Sequence, residues 1–450
     1  MRRFAGPFFL VVGLLGTPAC VAQFAAGITG GTWEGIWGVG TQPAAMLLHQ
    51  DRAEINVFRL GADVHNSFLE LRSEGVGLFG FNNRVTANTS TDQVTALGTS
   101  DRAVMVDLRV MGPSFACRLG KHDALAFTTQ VRTSFVALDL DRIARKFGVD
   151  TLHIEPGRTR RLDDITARAA AASWLEFGPT YGHSFKLGQK IRLHTGATLK
   201  YAMGIVGSSI HLEPPVLSGL NDSVQTITGV DLDYAIAIPE KVQPTGQGWN
   251  GDAGFVLEFL RRDSIRSVRS YWLRIGAAVT DIGSITFNRN ARIHRIRQGA
   301  TTVEELNALR INTVDQLDTA LSSLLLNDPN ASRIGTSFKI GLPAALHASV
   351  DISPWGAWAL RFEVVRSLRS APAALSTRDQ VSIVPRYETR LLCIAVPITF
   401  DRYGNAGIGL CMRLSSFMIG SDRIGGLFGL NDVTGADVYF GAKVRLRSRH

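Results

Sequence analysis

Leu125-Ala-Phe-Thr-Thr-Gln-Val-Arg-Thr-Ser-Phe-Val-Ala137 alternates with a period of two. Its odd positions are Leu125, Phe127, Thr129, Val131, Thr133 and Phe135; its even positions include Ala126, Thr128, Gln130, Arg132 and Ser134. Successive side chains of a strand point to opposite faces, so this stretch is a strand with one apolar and one polar face. Its length suits a membrane strand, which needs roughly 9–11 tilted residues. Ile191 to Met203 repeats the pattern, with Ile191, Leu193, Ala197, Leu199 and Tyr201 against Arg192, His194, Thr198 and Lys200. Phe338 to Ile352 reads in one phase, with Phe338, Ile340 and Leu342 on the apolar face and Lys339, His347 and Asp351 opposite. Val438, Phe440, Val444 and Leu446 close the chain against Asp437, Tyr439, Lys443 and Arg445. A soluble sandwich keeps a wet face rich in Lys, Glu and Thr. Here the second face holds Gly, Ala, Ser and isolated charges, which suits the crowded interior of a barrel.

The connections point the same way. Short polar turns fall at Gly120–Asp123, Lys186–Lys190, Arg261–Arg266, Ser353–Gly356 and Asp401–Gly404. Between them run long segments at 73–101, 139–171, 205–246, 291–333, 370–383 and 419–434. Outer-membrane barrels have short periplasmic turns and long external loops. The fold expected is therefore all-β: a closed antiparallel transmembrane β-barrel of about 12–14 strands with helical insertions in the long loops. Twelve strands place every short turn on one side; a further hairpin around Val224 to Ile238 makes fourteen. The hairpin about Asp401–Gly404 puts Cys393 and Cys411 on the interior face, directly opposite or one step apart in register, as neighbouring thiols rather than a disulfide.

Composition excludes other classes. Of 450 residues, 45% are hydrophobic and 19% charged, too apolar for a disordered chain. After the N-terminus no apolar run reaches the 18 residues of a membrane helix. Arg2 and Arg3, the apolar stretch Phe8–Leu15 and the small residues to Ala22 read as a signal peptide cleaved after Ala22. Cys20 would suit lipid attachment, but Thr17 stands where such sites carry a branched aliphatic residue. Losing Arg2 and Arg3 takes the formal charge from +9 to +7, spread thinly along the chain, which argues against nucleic acid. The domains expected are the signal peptide at 1–22, an N-terminal lead-in at 23–51 and one barrel at 52–450. The glycine-rich stretch Gly27–Gly40 lacks a phosphate-loop lysine and reads as flexible. Helical spacing appears in Asp139–Phe147 and Thr301–Leu326; the second would either plug the lumen or pack on a loop.

Several stretches carry a resemblance. Thr41-Gln-Pro-Ala-Ala-Met46, Asp51-Arg-Ala-Glu-Ile-Asn56 and Asp63–Leu71 resemble an uncharacterised outer-membrane barrel family of Bacteroidota. Val279–Phe287, Ile419-Gly-Ser-Asp422 and Gly435–Gly441 are similar to it too. That family is distantly similar to the long-chain fatty-acid transporter barrels, which share an Asn-Pro-Ala motif and a plugged pore of fourteen strands. Gln42 stands in place of that Asn, and the chain ends in Arg445–His450 without a terminal aromatic. The resemblance implies an outer-membrane location and a barrel more than an activity.

Chemistry is sparse. There is no Gly-x-Ser-x-Gly elbow, and His183, His194 and His347 fall on separate strands, so the protein reads as no enzyme. The mature cysteines Cys117, Cys393 and Cys411 form no metal or disulfide spacing, and neither metal nor cofactor is expected. The candidate lumen-lining set is Arg132, Glu176, Arg192, His194, Lys200, Asp252, Glu258, Arg274, Lys339, Asp351, Arg361, Glu363, Arg413, Asp437 and Lys443, with Arg445 beside them. A charged side chain facing lipid at the midplane costs about 2–4 kcal/mol for Arg or Lys, so these should point inward. They either select a solute or fill a closed barrel with ion pairs; the mixed signs favour filling. Three functions follow in order: a channel or transporter for a hydrophobic or amphiphilic small molecule, a non-transporting barrel scaffolding a secretion or cell-surface complex, and surface recognition by the long loops. The partners expected are outer-membrane lipid, such a solute or such proteins.

Overall fold

A computed structural model describes residues 26–48, 51–67, 69–71, 94–96, 103–138, 159–161, 167–213, 216–219, 225–261, 271–302, 314–354, 356–369, 371, 373–427 and 434–446. The signal peptide expected at 1–22 and the helical spacing expected at Asp139–Phe147 lie outside them.

The strands form a closed antiparallel barrel of 14 staves. In chain order these are β1 (Ala53–Asn66), β2 (Ala103–Met111, continuing as Ser114–Arg118), β3 (Asp123–Leu138), β4 (Ala167–Lys186) and β5 (Ile191–Leu212). Next come β6 (Gln225–Ala237, continuing as Gly246–Leu260), β7 (Tyr271–Phe287, continuing as Ala291–Thr302) and β8 (Arg333–Gly335, Phe338–Gly341 and Ala345–Ile352). The remainder are β9 (Trp358–Ser367), β10 (Gln380–Glu388), β11 (Leu392–Ala395, Ile398–Asp401), β12 (Ala406–Ile408, Leu410–Leu414), β13 (Phe417–Ser421) and β14 (Gly435–Leu446). Pairing of β14 with β1, from Ala53↔Leu446 to His65↔Gly435, closes the ring and leaves no free edge.

Alternation puts Phe58, Val64, Val131, Leu199, Phe255, Ile275, Phe362, Val381, Phe400, Ile419 and Val444 on the outer wall, exposed. So large an exposed apolar surface is a membrane-facing one. No helix among the described residues is long and apolar enough to cross a membrane.

Three expectations about topology are corrected. The two strands beyond twelve come from 380–421, where turns at 389–391 and 415–416 divide what reads as two strands into four. The stretch around Val224 to Ile238 instead extends β6: Leu232–Ala237 pair with Leu212–Gly207 on β5, just as Gly246–Phe259 pair with Gly204–Ile191. In consequence the turn after Asp401 lies at the end of the barrel that carries the long loops, not with the other short turns.

The third correction is a change of phase. Lys339 lies exposed on the outer wall, while Ile340 and Leu342 are wholly buried. On the facing strand β7, Asp281 has φ +56°, and the inward positions shift from Ala278 and Thr280 to Ile285 and Phe287. A residue in the left-handed region bends a strand and flips the faces beyond it. Across from it, the irregular Leu342–Ala344 shifts phase in β8 as well.

Helix α2 (Val314–Leu326) follows the long strand β7 rather than starting at Thr301, and it does not enter the lumen. Leu321, Leu325 and Leu326 pack on Ile296, Val230, Leu232 and Leu212 of the β5–β6–β7 extension. Residues 26–48 do enter it. They include the short helix α1 (Gly35–Gly38) and a 3₁₀ turn at Pro43–Leu47, and nearly all are buried. The stretch expected to be flexible is thus an ordered plug.

Candidate functional site: the plugged lumen

Irregular backbone survives at membrane depth only where its N–H and C=O groups find partners in protein or water. The plug finds them in the charges of the wall. Its N–H groups meet carboxylates. Ala26 and Gly27 donate to Asp422 at 2.6 and 3.2 Å, Thr32 to Glu388 at 3.1 Å and Ile36 to Glu54 at 2.8 Å. The Thr29 hydroxyl donates to Glu363 at 2.9 Å. Its carbonyls meet cations. Gly30 O accepts from Arg386 at 2.6 Å, Trp37 O from Arg59 at 2.9 Å, Leu47 O from Arg118 at 2.6 Å and Leu48 O from Arg274 at 3.2 Å. Lys443 reaches Trp33 O, Glu34 O and both Glu54 oxygens. Bonds to charged groups are roughly twice as strong as neutral ones, so the wall is shaped as an electrostatic mould for this segment.

Aromatic rings complete the mould. Trp37 Nε1 donates to Asn56 Oδ1 at 2.6 Å, and the Trp33 ring lies 3.8 Å from Arg445 and 4.3 Å from Arg413. Such cation–ring contacts gain strength where water is excluded. Gln42 caps the 3₁₀ turn through Ala44 N and donates from Nε2 to Phe255 O and Ala277 O, each at 3.1 Å. Glycine supplies the room. A Cβ at Gly196 would lie 2.5 Å from the Pro43 carbonyl carbon, and one at Gly254 would lie 2.2 Å from Gln42 Oε1. Within the plug, Glu34 accepts from Gly30 N at 2.7 Å.

A second group of charges pairs wall to wall. Arg132 and Lys200 converge on Asp281 at 2.8 and 2.6 Å; Lys200 also meets Asp252 at 2.8 Å, and both reach Glu176 at 3.7 Å. Gln130 and Trp174 donate to Glu176, and Asp281 N donates to Asp252 at 2.7 Å. Toward the short-turn end, Arg274 pairs with Glu258 at 2.7 Å. Asp351 pairs with Arg386, and Arg361 with Glu363 at 3.0 Å. Asp437 accepts from Asp422 N at 2.7 Å.

Thirteen of the fifteen lumen candidates are therefore buried inside: Arg132, Glu176, His194, Lys200, Asp252, Glu258, Arg274, Asp351, Arg361, Glu363, Arg413, Asp437 and Lys443. Arg192 is exposed at the short-turn mouth, and Lys339 is on the outer wall. The reading from alternation missed Glu54, Arg59, Asp281, Arg386, Glu388 and Asp422. Arg386 and Glu388 were legible from the period of β10, whereas Asp281 depends on its bulge and Asp422 on a loop.

The fold also brings together residues that the sequence keeps apart. Ser184 Oγ lies 2.7 Å from His194 Nδ1, and His194 Nε2 lies 3.4 Å from Glu258. A hydrolytic triad needs an accessible nucleophile and an acid that orients the base. Ser184 is buried and Glu258 is already held by two bonds from Arg274, so this line serves as filling. Among the described residues no cluster of three or more His, Cys, Asp or Glu could hold a metal ion.

A void of about 30 Å³ lies between plug and wall, bordered by Trp37, Val39, Arg59, Arg109, Gln130 and Lys200. That holds a water molecule or two, not a solute. Beyond the plug, toward the long loops, the lumen is two-sided. Met105, Val136, Trp174, Ile285, Phe287, Ile340, Leu342 and Leu375 form a buried apolar cluster on one side. Asp63, His65, Arg378, Asp401, Arg423 and Asp437 gather on the other.

These features define a membrane-spanning β-barrel closed by its own N-terminal segment. The chain belongs to a family of unknown function, DUF5723, whose model matches residues 55–422. Among solved structures it is similar to a TodX monoaromatic hydrocarbon channel mutant, at 10% identity and TM-score 0.41 over 91% of this chain and 94% of that one. A Pseudomonas aeruginosa FadL homologue matches at 10% identity and TM-score 0.38, covering 92% and 94%. The Ralstonia pickettii toluene transporter TbuX matches at 12% and 0.38 with the same coverage. No curated protein matches.

Proposed function

We propose that this protein is an outer-membrane channel, closed at rest by residues 26–48, that admits a small hydrophobic or amphiphilic molecule when the plug shifts. The observation that carries this reading is the manner of closure. The plug is held by hydrogen bonds and ion pairs between separate surfaces, and such contacts can be exchanged for water without unfolding the wall. The two-sided lumen beyond it supports an amphiphile, with apolar side chains for a tail and charges for a head. Cleavage after Ala22 would leave only Gln23-Phe24-Ala25 ahead of the anchored Ala26.

The test is conductance in planar bilayers and uptake of 1-N-phenylnaphthylamine by proteoliposomes. The wild-type barrel should be nearly silent, and a variant lacking residues 26–48 should open in large steps. A deletion variant that folds, shown by heat-modifiable mobility, yet stays silent would overturn the channel. The second reading, a barrel that scaffolds a secretion or cell-surface complex, is favoured by the paired charges and water-sized void. It expects that silence, together with a protein that co-purifies with the barrel.

A further inference from the structure

Lys339 stands outside the wall of charges just described, and its surroundings are specific. Gln247 on β6 pairs with Thr286 on β7, which pairs in turn with Lys339 on β8, so the three form one row across adjacent strands. Two residues along each strand lies a row that begins with Tyr201 and Trp249, whose rings are 5.0 Å apart. Trp249 is 60% exposed. Between the rows and Asn288 opens a groove of about 440 Å³ on the outer surface. Lys339 has no ion pair there among the described residues.

Height fixes what the groove faces. At the short-turn end of β6 and β7, Phe259 and Trp272 pair at 5.9 Å, and on β9 and β10 Trp358 and Tyr387 pair at 5.1 Å. Ten residues separate Trp249 from Phe259, about 34 Å along a strand and roughly 25 Å of height at a tilt near 45°, the height of a barrel's apolar band between its aromatic girdles. Tyr201 and Trp249 thus mark the edge of the band nearest the long loops. The polar row lies one pleat farther out, among headgroups.

We propose that this groove binds the phosphorylated sugar headgroup of a glycolipid in the external leaflet. The aromatic faces suit the apolar face of a sugar ring, and the Gln247, Thr286 and Asn288 side chains suit its hydroxyls. Lys339 supplies a point charge for the phosphate, a pairing weak in water and stronger at the lipid boundary. A plain phospholipid would use the lysine but leave the aromatic and amide set idle. The inference rests on the outer-membrane reading, because it needs a leaflet of that chemistry.

The experiment uses the full-length mature barrel in detergent. Hexa-acylated diphosphoryl lipid A, its dephosphorylated form and dioleoylphosphatidylglycerol are offered separately, and retained lipid is read by native mass spectrometry. Diphosphoryl lipid A should be retained at least tenfold more by the wild type than by Lys339→Glu or Trp249→Ala, while Leu199→Ala in the apolar band should match the wild type. Heat-modifiable mobility confirms that each variant is folded; if Lys339→Glu is not, Lys339→Gln carries the same comparison. Equal retention by wild type and the lysine variant, or equal retention of phosphatidylglycerol, would overturn the proposal. Membrane fractionation reads the location separately, so a barrel outside the outer membrane would be recognised whatever its lipid retention.

Discussion

Lys443 on the last strand and Glu54 on the first lie 3.1 Å apart, both wholly buried, at the seam where the barrel closes. Each also binds the plug: Lys443 through the carbonyls of Trp33 and Glu34, Glu54 through Ile36 N. One ion pair therefore joins barrel closure to lumen closure. Removing one partner of a buried pair costs about 3–5 kcal/mol, because the other charge is left uncompensated.

Lys443→Met should accordingly loosen the plug more than Lys443→Met combined with Glu54→Gln, which removes both charges. Urea titration of Trp fluorescence and proteolysis at residues 26–48 would read this. A double variant no better than the single would show that the pair is not the anchor.

Asp281 does two jobs, holding Arg132 and Lys200 and bending β7 at φ +56°. Asn tolerates that backbone region better than most residues, whereas Ala does not. Asp281→Asn should lose part of the stability and Asp281→Ala more, by roughly 1–2 kcal/mol from backbone strain. The temperature at which the folded gel band disappears gives the order, and equal losses would remove the backbone role.

The turn Arg402–Asn405 is predicted to be external. Asp401 organises it, accepting from Tyr403 N at 2.9 Å and Asn405 N at 3.0 Å, and Arg423 ties it to the adjoining loop. A tag inserted after Gly404 should be labelled on intact cells, and one at Ser415–Ser416 only after the membrane is permeabilised. The reverse pattern would invert the barrel.

Cys393 lies opposite Arg413 and Cys411 opposite Ala395, one step from the directly opposed register. None of the three described cysteines forms a disulfide; Cys393 and Cys411 are buried and Cys117 is half-buried. Without reductant, the mature protein should take up three alkyl groups when denatured. In the folded state Cys117 should react first. Only one alkyl group after denaturation would mean that a disulfide had formed.

Resemblance and alternation together reached the barrel, and alternation alone reached most of its interior charges. Each of Arg132, His194, Lys200 and Lys443 sits on the polar phase of a regular strand, so its direction follows from its neighbours. Lys339 shows where that logic stops. Its segment alternates without fault, yet a bulge on the facing strand at Asp281 and the break at Leu342–Ala344 reverse its face. A phase change costs nothing in local pattern and appears only when two strands are laid side by side.

The sequence by itself determined that this chain builds a barrel with a polar interior, because a period of two and the cost of charge in lipid act within a single strand. Tertiary structure decided what the interior is for. The carboxylates of Glu54, Glu388 and Asp422 come from three distant stretches and converge on backbone N–H groups of residues 26–36, a segment with no periodicity to reveal its place. Backbone groups are the same in every residue but proline, so their partners leave no mark in the sequence. Only the closed ring brings them within reach.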